Sequence, residues 1–341
     1  MARRPAVTVL GSLNTDISLL VPHLPGPGET VLAAAGATFG AGGKGANQAV
    51  AAARLGAAAE MVGCCGDDEF GARLRAGLEA EGIGVAGLRA VPGVASGLAL
   101  ITVDPAGENS IAVAAGANAL AGDAEVAAAF ARPCDVLVLS AEIPVPALGA
   151  ALRRARSQGV RTLLNLAPVP EGAAGLVAER PDWLVVNAQE AAALAGQSPD
   201  AAPGDGGPRP GNGAPGDAGP RPGNGGPADE VARARAVAAC LAAGLGGGHA
   251  VVTLGAAGAV LAGPSGTAAV PGFRVTAVDT VGAGDAFVGA LAVVLASGLD
   301  PADAVTAACA AGAAAATRRG AQAALPRPAD VRAATGFSWP A

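Results

Sequence analysis

Between Val278 and Gly289 the chain reads Val-Asp-Thr-Val-Gly-Ala-Gly-Asp-Ala-Phe-Val-Gly. A short apolar and β-branched approach (Phe273, Val275, Val278) runs into Gly282-Ala283-Gly284, then one carboxylate, Asp285, then an apolar run with helical spacing. This predicts a turn that delivers Asp285 to the first turn of a helix. Glycines at 282 and 284 permit positive φ and bare the main-chain N–H groups, and the helix start adds partial positive charge. Such a nest binds an anion. A carboxylate beside an anion hole repels the anion unless it has a separate task, and taking a proton from an attacking hydroxyl is such a task. The stretch therefore points to phosphoryl transfer to an alcohol. The same residues also suit a glycine-rich turn in which Asp285 is an ordinary N-cap.

Four other places carry chemistry of the same kind. Gly11-Ser-Leu-Asn-Thr-Asp16 follows the apolar run Ala6 to Leu10, which puts Asn14 and Asp16 just past the C-terminal end of a buried strand, where open α/β sheets bind ligands. Gly42-Gly43-Lys44-Gly-Ala-Asn47 is not a P-loop, because Lys44 is followed by Gly45 and not by a Mg²⁺-holding Ser or Thr. Its glycines instead bring the backbone close to a small polyol, with Asn47 on the hydroxyls; a structural helix entry fits equally. Asn187 and Glu190 follow the strand ending at Val186: Glu190 suits a hydrated Mg²⁺ held through water, and the pair also has the outline of a capping box. Thr253-Leu-Gly255-Ala-Ala-Gly258 closes another strand in a loop that suits a nucleotide phosphate or ribose, or serves only as a hairpin turn.

The elements that must position these groups alternate. Strands are expected at Ala6 to Leu10, Glu60 to Cys64, Val136 to Leu139, Thr162 to Leu166, Trp183 to Val186 and Ala250 to Leu254. Helices are expected at Phe70 to Glu81, Ala147 to Gln158, Ala188 to Leu194 and Glu230 to Ala243. That rhythm implies a mostly parallel sheet covered on both faces. Two segments fall outside it: Ile17 to Thr38, broken by prolines and glycines, and Ser96 to Val113, which alternates apolar and polar residues around Asp104-Pro-Ala-Gly107 as a hairpin does. One stretch has no apolar content. Ala202 to Gly213 recurs almost letter for letter as Ala214 to Gly225, and such a segment cannot repay its ordering entropy, so the insertion at about 197–229 is expected to be a disordered surface loop.

Composition narrows the function classes. With 51% hydrophobic residues, 2% aromatic, 52 Gly and no Tyr, the core of this 341-residue chain must be built from Ala, Val and Leu. Twenty-two basic against 28 acidic side chains give a net charge of −6, and no basic cluster is denser than Arg318-Arg319, which argues against a nucleic-acid partner. The five cysteines include no C-x-x-C, so neither a metal framework nor a disulfide set is expected and a reduced cytoplasm fits. The apolar segment Ala236 to Gly263 is split by glycines at 244 and 246–248 and reads as a buried helix-to-strand step, not a membrane span.

In order and spacing these segments resemble the ribokinase-like (PfkB) sugar kinase family over nearly the whole length. The segments Pro27-Gly-Glu-Thr30, Gly63-Cys-Cys-Gly-Asp-Asp68, Gly116-Ala-Asn118 and Thr317-Arg-Arg-Gly-Ala-Gln322 strengthen the match, and only about Gly196 to Asp229 lies outside it. The resemblance implies one kinase domain over residues 1–335, an α/β three-layer sandwich with a small β-sheet lid from segments 18–39 and 96–113, and a homodimer through the lid. It implies that Asn14, Asp16, Gly42, Gly43, Lys44, Asn47 and Glu142 hold a sugar. Asp285 would be the general base, and the N–H groups of Gly282, Ala283 and Gly284 an anion hole. Asn187, Thr253, Gly255, Gly258, Gly284 and Cys309 would line the ATP site, with Glu190 supporting Mg²⁺.

An activating K⁺ would sit at Asp279, Val281, Ala315, Arg318 and Gly320. A further cation position often filled by a hydroxyl residue matches Ala324, which offers none. Within the family, the glycine-rich run with Glu142 and a lid whose aromatic is Phe39 favour D-ribose phosphorylated at its 5-hydroxyl, ahead of deoxyribose, another pentose or a nucleoside. A non-catalytic sugar sensor is opposed by the intact Asp285. A dinucleotide oxidoreductase is opposed by the absence of Gly-x-Gly-x-x-Gly after Leu10.

Overall fold

The computed structural model describes residues 3–196 and 227–340. Thirteen strands are formed among them: β1 (Ala6–Leu10), β2 (Asn14–Leu20), β3 (Thr38–Gly42), β4 (Ala58–Gly66), β5 (Gly84–Val91), β6 (Gly97–Val103), β7 (Asn109–Ala114), β8 (Val136–Ser140), β9 (Arg161–Asn165), β10 (Trp183–Asn187), β11 (His249–Thr253), β12 (Gly258–Gly263) and β13 (Gly266–Pro271). The helices are α1 (Lys44–Arg54), α2 (Glu69–Ala80), α3 (Asp123–Ala128), α4 (Val145–Gln158), α5 (Ala173–Ala178), α6 (Ala188–Gly196), α7 (Pro227–Gly244), α8 (Ala283–Ala296), α9 (Pro301–Ala315), α10 (Ala321–Ala324) and α11 (Pro328–Thr335).

Nine strands make the large sheet in the order β13-β12-β11-β10-β9-β8-β1-β4-β5, parallel except where β12 and β13 pair antiparallel at one edge. Successive side chains on a strand point to opposite faces, and here both faces are apolar. Val136 and Val138 join one core with α1, α8 and α9, while Leu137 and Leu139 join the other with α4, α5, α6 and α7. Two cores back to back on one sheet make the expected three layers. Alanine supplies much of the packing: α8 is buried along Asp285 to Leu295 because it lies against the sheet, α1 and α9 at once.

The second sheet, β3-β2-β6-β7, stands apart from the layers. Its strands correct the expected lid limits. Asn14 and Asp16 lie just past the end of β1 as expected, and they open β2, so the lid sheet begins at residue 14 and not at 18. The cause is Asn118: its Oδ1 accepts from the Leu13 N–H and its Nδ2 donates to the Leu13 carbonyl, each at 2.9 Å. This pins the chain just after β1, so that extended structure resumes within three residues. The hairpin over β6 and β7 matches the alternation around Asp104, whose side chain closes the turn by accepting from Ala106 and Glu108 N–H.

The tandem repeat at 202–225 lies outside the described residues. Ala228 and Asp229, assigned to the insertion, belong to the first turn of α7, where Asp229 and Glu230 complement the positive end of the helix dipole. No helix among the described residues is long and apolar enough to cross a membrane.

Candidate active site

The parallel strands deliver their C-terminal ends to one edge. Asn187 pairs with Thr253 in register, Ser140 with Asn165, and Leu10 with Leu139. Ser12, Glu142, Glu190 and Gly255 follow directly, at the edge where open α/β sheets hold ligands.

Two helices start over that edge, α1 after Gly43 and α8 after Gly282, neither with a side-chain cap. They approach closely because residue 289 is glycine: a Cβ there would lie 2.5 Å from the Ala51 Cβ and 2.7 Å from the Gln48 carbonyl oxygen. One turn earlier on each helix the side chains therefore meet. Asn47 Nδ2 donates to Asp285 Oδ2 at 2.8 Å and Gln48 Nε2 donates to Asp285 Oδ1 at 3.0 Å. Asp285 is buried, which pushes its carboxyl above the usual range; Lys44 and the two amides pull it back toward ionisation, and Glu142 adds to the upward push.

The two helix starts differ in what they leave open. On α1 the chain uses its own donors: Lys44 N–H to Glu142 Oε2 at 3.1 Å, Gly45 N–H to Ser12 Oγ at 3.4 Å, Ala46 N–H to the Ser12 carbonyl at 2.9 Å. On α8 the Ala283 N–H donates to the Thr280 carbonyl at 3.2 Å, whereas those of Gly284 and Asp285 have no acceptor among the described residues. A Cβ on Gly284 would meet nothing within 4 Å. Neither packing nor a positive φ calls for glycine there, so open space lies directly over free donors, as an anion cradle needs. Gly282 has a different part: at φ 79° it makes the left-handed turn into the helix. Of the three expected donors, the Ala283 N–H is engaged by Thr280, while those of Gly282 and Gly284 have no acceptor among the described residues.

Near Asp285 stand Asp16, Glu142 and Lys44. Gly42 leaves room for Asp16, whose Oδ2 would be 2.2 Å from a Cβ at 42. Gly43, at φ 86°, lies against Leu13 and Asn14, its Cβ position 2.7 Å from the Asn14 nitrogen. Glu142 is held by Ser12 Oγ and faces the Lys44 ammonium at 4.0 Å. Burial, with Glu142 and Asp285 nearby, raises the Asp16 carboxyl to about 6, against the pull of Lys44. Burial works against charge on Lys44, but Asp285, Glu142, Glu190 and Asp16 outweigh it and raise its pKa. Carboxylates around a single ammonium suit a neutral polyol, whose O–H groups donate to them. Asn14 turns its Oδ1 to Asn118 Nδ2 at 2.9 Å and keeps its own Nδ2 for an acceptor.

The Asn187 and Glu190 pair forms the capping box: Asn187 N–H to Glu190 Oε2 and Glu190 N–H to Asn187 Oδ1, both 2.8 Å. Burial raises the Glu190 carboxyl above its usual range, against the pull of the Asn187 N–H and of the charge on Lys44. Glu190 Oε1 has no hydrogen-bond partner among the described residues, and a carboxylate oxygen left over in this way fits Mg²⁺ held through water. Thr253 ends β11, and Gly258 starts β12 at φ 98°, where a Cβ would lie 2.1 Å from the Val270 carbonyl oxygen; this loop is a hairpin turn as well as an edge of the cleft. Cys309 is buried in α9, its thiol pushed up to about 12 by burial, so it acts as a packing group.

Asp279 ties the last region together. It accepts from Val281 N–H at 3.0 Å and from Gly320 N–H at 2.9 Å, and the Ala316 carbonyl accepts from Val278 and Asp279 N–H. Val281, Ala315, Arg318 and Gly320 are thereby gathered behind the α8 start. Both Asp279 oxygens are engaged, and the Arg318 side chain pairs with Asp330. The donors that fit a monovalent cation here are main-chain carbonyls; buried Ala324 adds none.

The profile of the pfkB family carbohydrate kinases matches residues 4–328. The chain belongs to that family. Among pfkB-family relatives it is 34% identical to a ribokinase of Schizosaccharomyces pombe over 94% of both chains, and 33% identical to a deoxyribokinase of Salmonella typhi over 84% of both. The structure of an Arabidopsis thaliana ribokinase complexed with ribose and ATP superposes with a TM-score of 0.75 at 26% identity, covering 96% of this chain and 98% of that one. As a pfkB kinase the chain is a sugar kinase. Two of its site-building residues escaped the sequence-based assignment. Asn118 sits in the quoted Gly-Ala-Asn segment, and Gln48 directly follows Asn47; each reaches the site through another protein group, which no local motif displays.

Proposed function

We propose that this kinase transfers the γ-phosphoryl group of ATP to the 5-hydroxyl of D-ribose through one catalytic unit spanning residues 1–335. The observation that carries the reading is the placement of Asp285 between two amide donors and the free N–H groups of α8, near the Asp16 and Glu142 acceptors. Asn14, Asp16, Gly42, Gly43, Lys44, Asn47 and Glu142 hold the sugar. Asp285 takes the proton of the 5-hydroxyl as that oxygen bonds to the γ-phosphorus, while the bond from phosphorus to the bridging oxygen breaks and ADP leaves. The N–H groups around Gly284 stabilise the charge on the transferring group, at about 3 to 4 kcal/mol per well-placed donor. Asn187, Thr253, Gly255 and Gly258 line the nucleotide, with Cys309 packing behind it.

The carboxylates at Asp16, Glu142 and Asp285 repel a bare polyphosphate. Mg²⁺ supported by Glu190 supplies the compensating charge when bound, and a monovalent cation on the Val281, Ala315, Arg318 and Gly320 carbonyls would steady the anion hole. Two carboxylates match vicinal hydroxyls, which ribose has and 2-deoxyribose lacks at one position. ADP release should therefore be fastest per unit KM with D-ribose among ribose, 2-deoxyribose, fructose and adenosine, and faster with K⁺ than without. A higher kcat/KM for deoxyribose or adenosine would overturn the sugar assignment, and no release with any sugar would favour a sensor.

The lid sheet supports a homodimer. Register places Asp16, Ala99 and Val113 on one face and Phe39, Ile17 and Leu100 on the other. Phe39 and Leu100 are 59% and 53% exposed. The Asp16 face belongs to the cleft, so the outer face needs another cover, and a second lid supplies it. Light scattering should give twice the chain mass, and Phe39→Asp with Leu100→Lys should halve it; a monomeric parent would refute the dimer. The free cysteines fit a cytoplasmic site of action.

A further inference from the structure

Gln48 is wholly buried on α1, and neither of its amide hydrogens reaches the cleft: one Nε2 bond goes to Asp285 Oδ1 at 3.0 Å, the other to Asn165 Oδ1 at 2.9 Å on β9. Asn165 in turn donates from Nδ2 to the main-chain carbonyl of Val185 on β10, at 3.3 Å. An amide can usually be turned end for end with little to choose between the two settings. This chain removes the choice. The Val185 carbonyl can only accept, so Asn165 must present its NH₂ to β10 and its oxygen to Gln48. Gln48 must then present its NH₂ to both Asn165 and Asp285. The direction carries a cost, because Gln48 Oε1 and Asn47 Oδ1 are left buried without a donor. Turning either amide over would set its oxygen against the Asp285 carboxylate, acceptor to acceptor, and leave that oxygen still without a donor.

We propose that Gln48 and Asn165 are positioning residues for the transfer reaction: a one-way amide relay from the β10 main chain that fixes the Asp285 carboxylate in orientation and keeps it ready to accept a proton. Each carboxylate oxygen receives one N–H, Oδ2 from Asn47 and Oδ1 from Gln48. The remaining lone pairs are then aimed by the large sheet, not by the mobility of a side chain. A donor lost from Oδ1 frees the carboxyl to rotate and favours its neutral form in this buried place. The relay rests on the proposed role of Asp285 as base.

The test is the pH dependence of ribose-dependent ADP release by Gln48→Met, Asn165→Leu and the double variant. Gln48→Met should lower kcat about 10- to 100-fold at pH 7, with KM for ribose changed less than about threefold, and should move the acidic limb of kcat upward by about one pH unit. Asn165→Leu, which touches neither carboxylate nor cleft, should shift the limb the same way by less, and the double variant should match Gln48→Met alone. If Gln48→Met does not fold, the Asn165→Leu shift still decides. A parental acidic limb in both single variants, or shifts that simply add, would overturn the relay. An Asp285→Asn variant with parental turnover would instead overturn the base assignment on which it rests.

Discussion

Asp285→Asn and Asp285→Ala are expected to fold and to lose ~10²- to 10⁴-fold in kcat, the usual contribution of a positioned general base. Far-UV circular dichroism should be unchanged, and KM for ATP should move little, because the free N–H groups of Gly284 and residue 285 belong to the main chain and survive either replacement. In the parent, turnover should fall as pH drops through a pKa above the ordinary carboxylate value, since burial favours the neutral form of the acid and only the ionised form can take the proton. A parental kcat in either variant would remove Asp285 from the chemistry.

Asp16→Asn is expected to move activity and stability in opposite directions. Charge-assisted hydrogen bonds to hydroxyls are worth about 1.5 to 3 kcal/mol each, so kcat/KM for ribose should fall ~10- to 100-fold, mostly through KM. Stability should rise. The Asp16 carboxyl has its pKa raised from 3.8 to about 6 by burial and by Glu142 and Asp285. A raised acid contributes stability that is present below the unfolded value and lost as pH climbs through the folded one. The asparagine variant should therefore melt with its parent near pH 4, gain on it between about pH 4 and 6, and keep the gain above, to the extent of about 3 kcal/mol at most by the size of the shift. Thermal melts across that range check it; a variant that melts below its parent at pH 8 would show that Asp16 is not held against its preference.

Such opposition explains how much was legible beforehand. Strands such as β1 and β8 could be read because they are buried on both faces and form short continuous apolar runs between turns. The Gly-Ala-Gly-Asp turn could be read because only glycine serves at Gly282, and open space over free donors suits it at Gly284. Elements that depend on distant partners could not. β2 starts three residues after β1 only because Asn118, more than a hundred residues away, grips Leu13. Helices α1 and α8 meet only because Gly289 lies against Ala51, and neither residue advertises the other. Asn187 and Glu190 show the reverse limit: the capping box was visible locally and is present, while the influence of Lys44 on the Glu190 carboxyl arises only because β10 and α1 are brought to the same edge.

The most direct measurement on the central claim is phosphorus NMR of the product formed from D-ribose, ATP and Mg²⁺. A phosphomonoester resonance split by the two C5 protons, appearing in step with ADP, is the predicted result. Phosphate on any other ribose oxygen, or ADP formed at the same rate with no sugar present, would contradict an Asp285-driven transfer to the 5-hydroxyl.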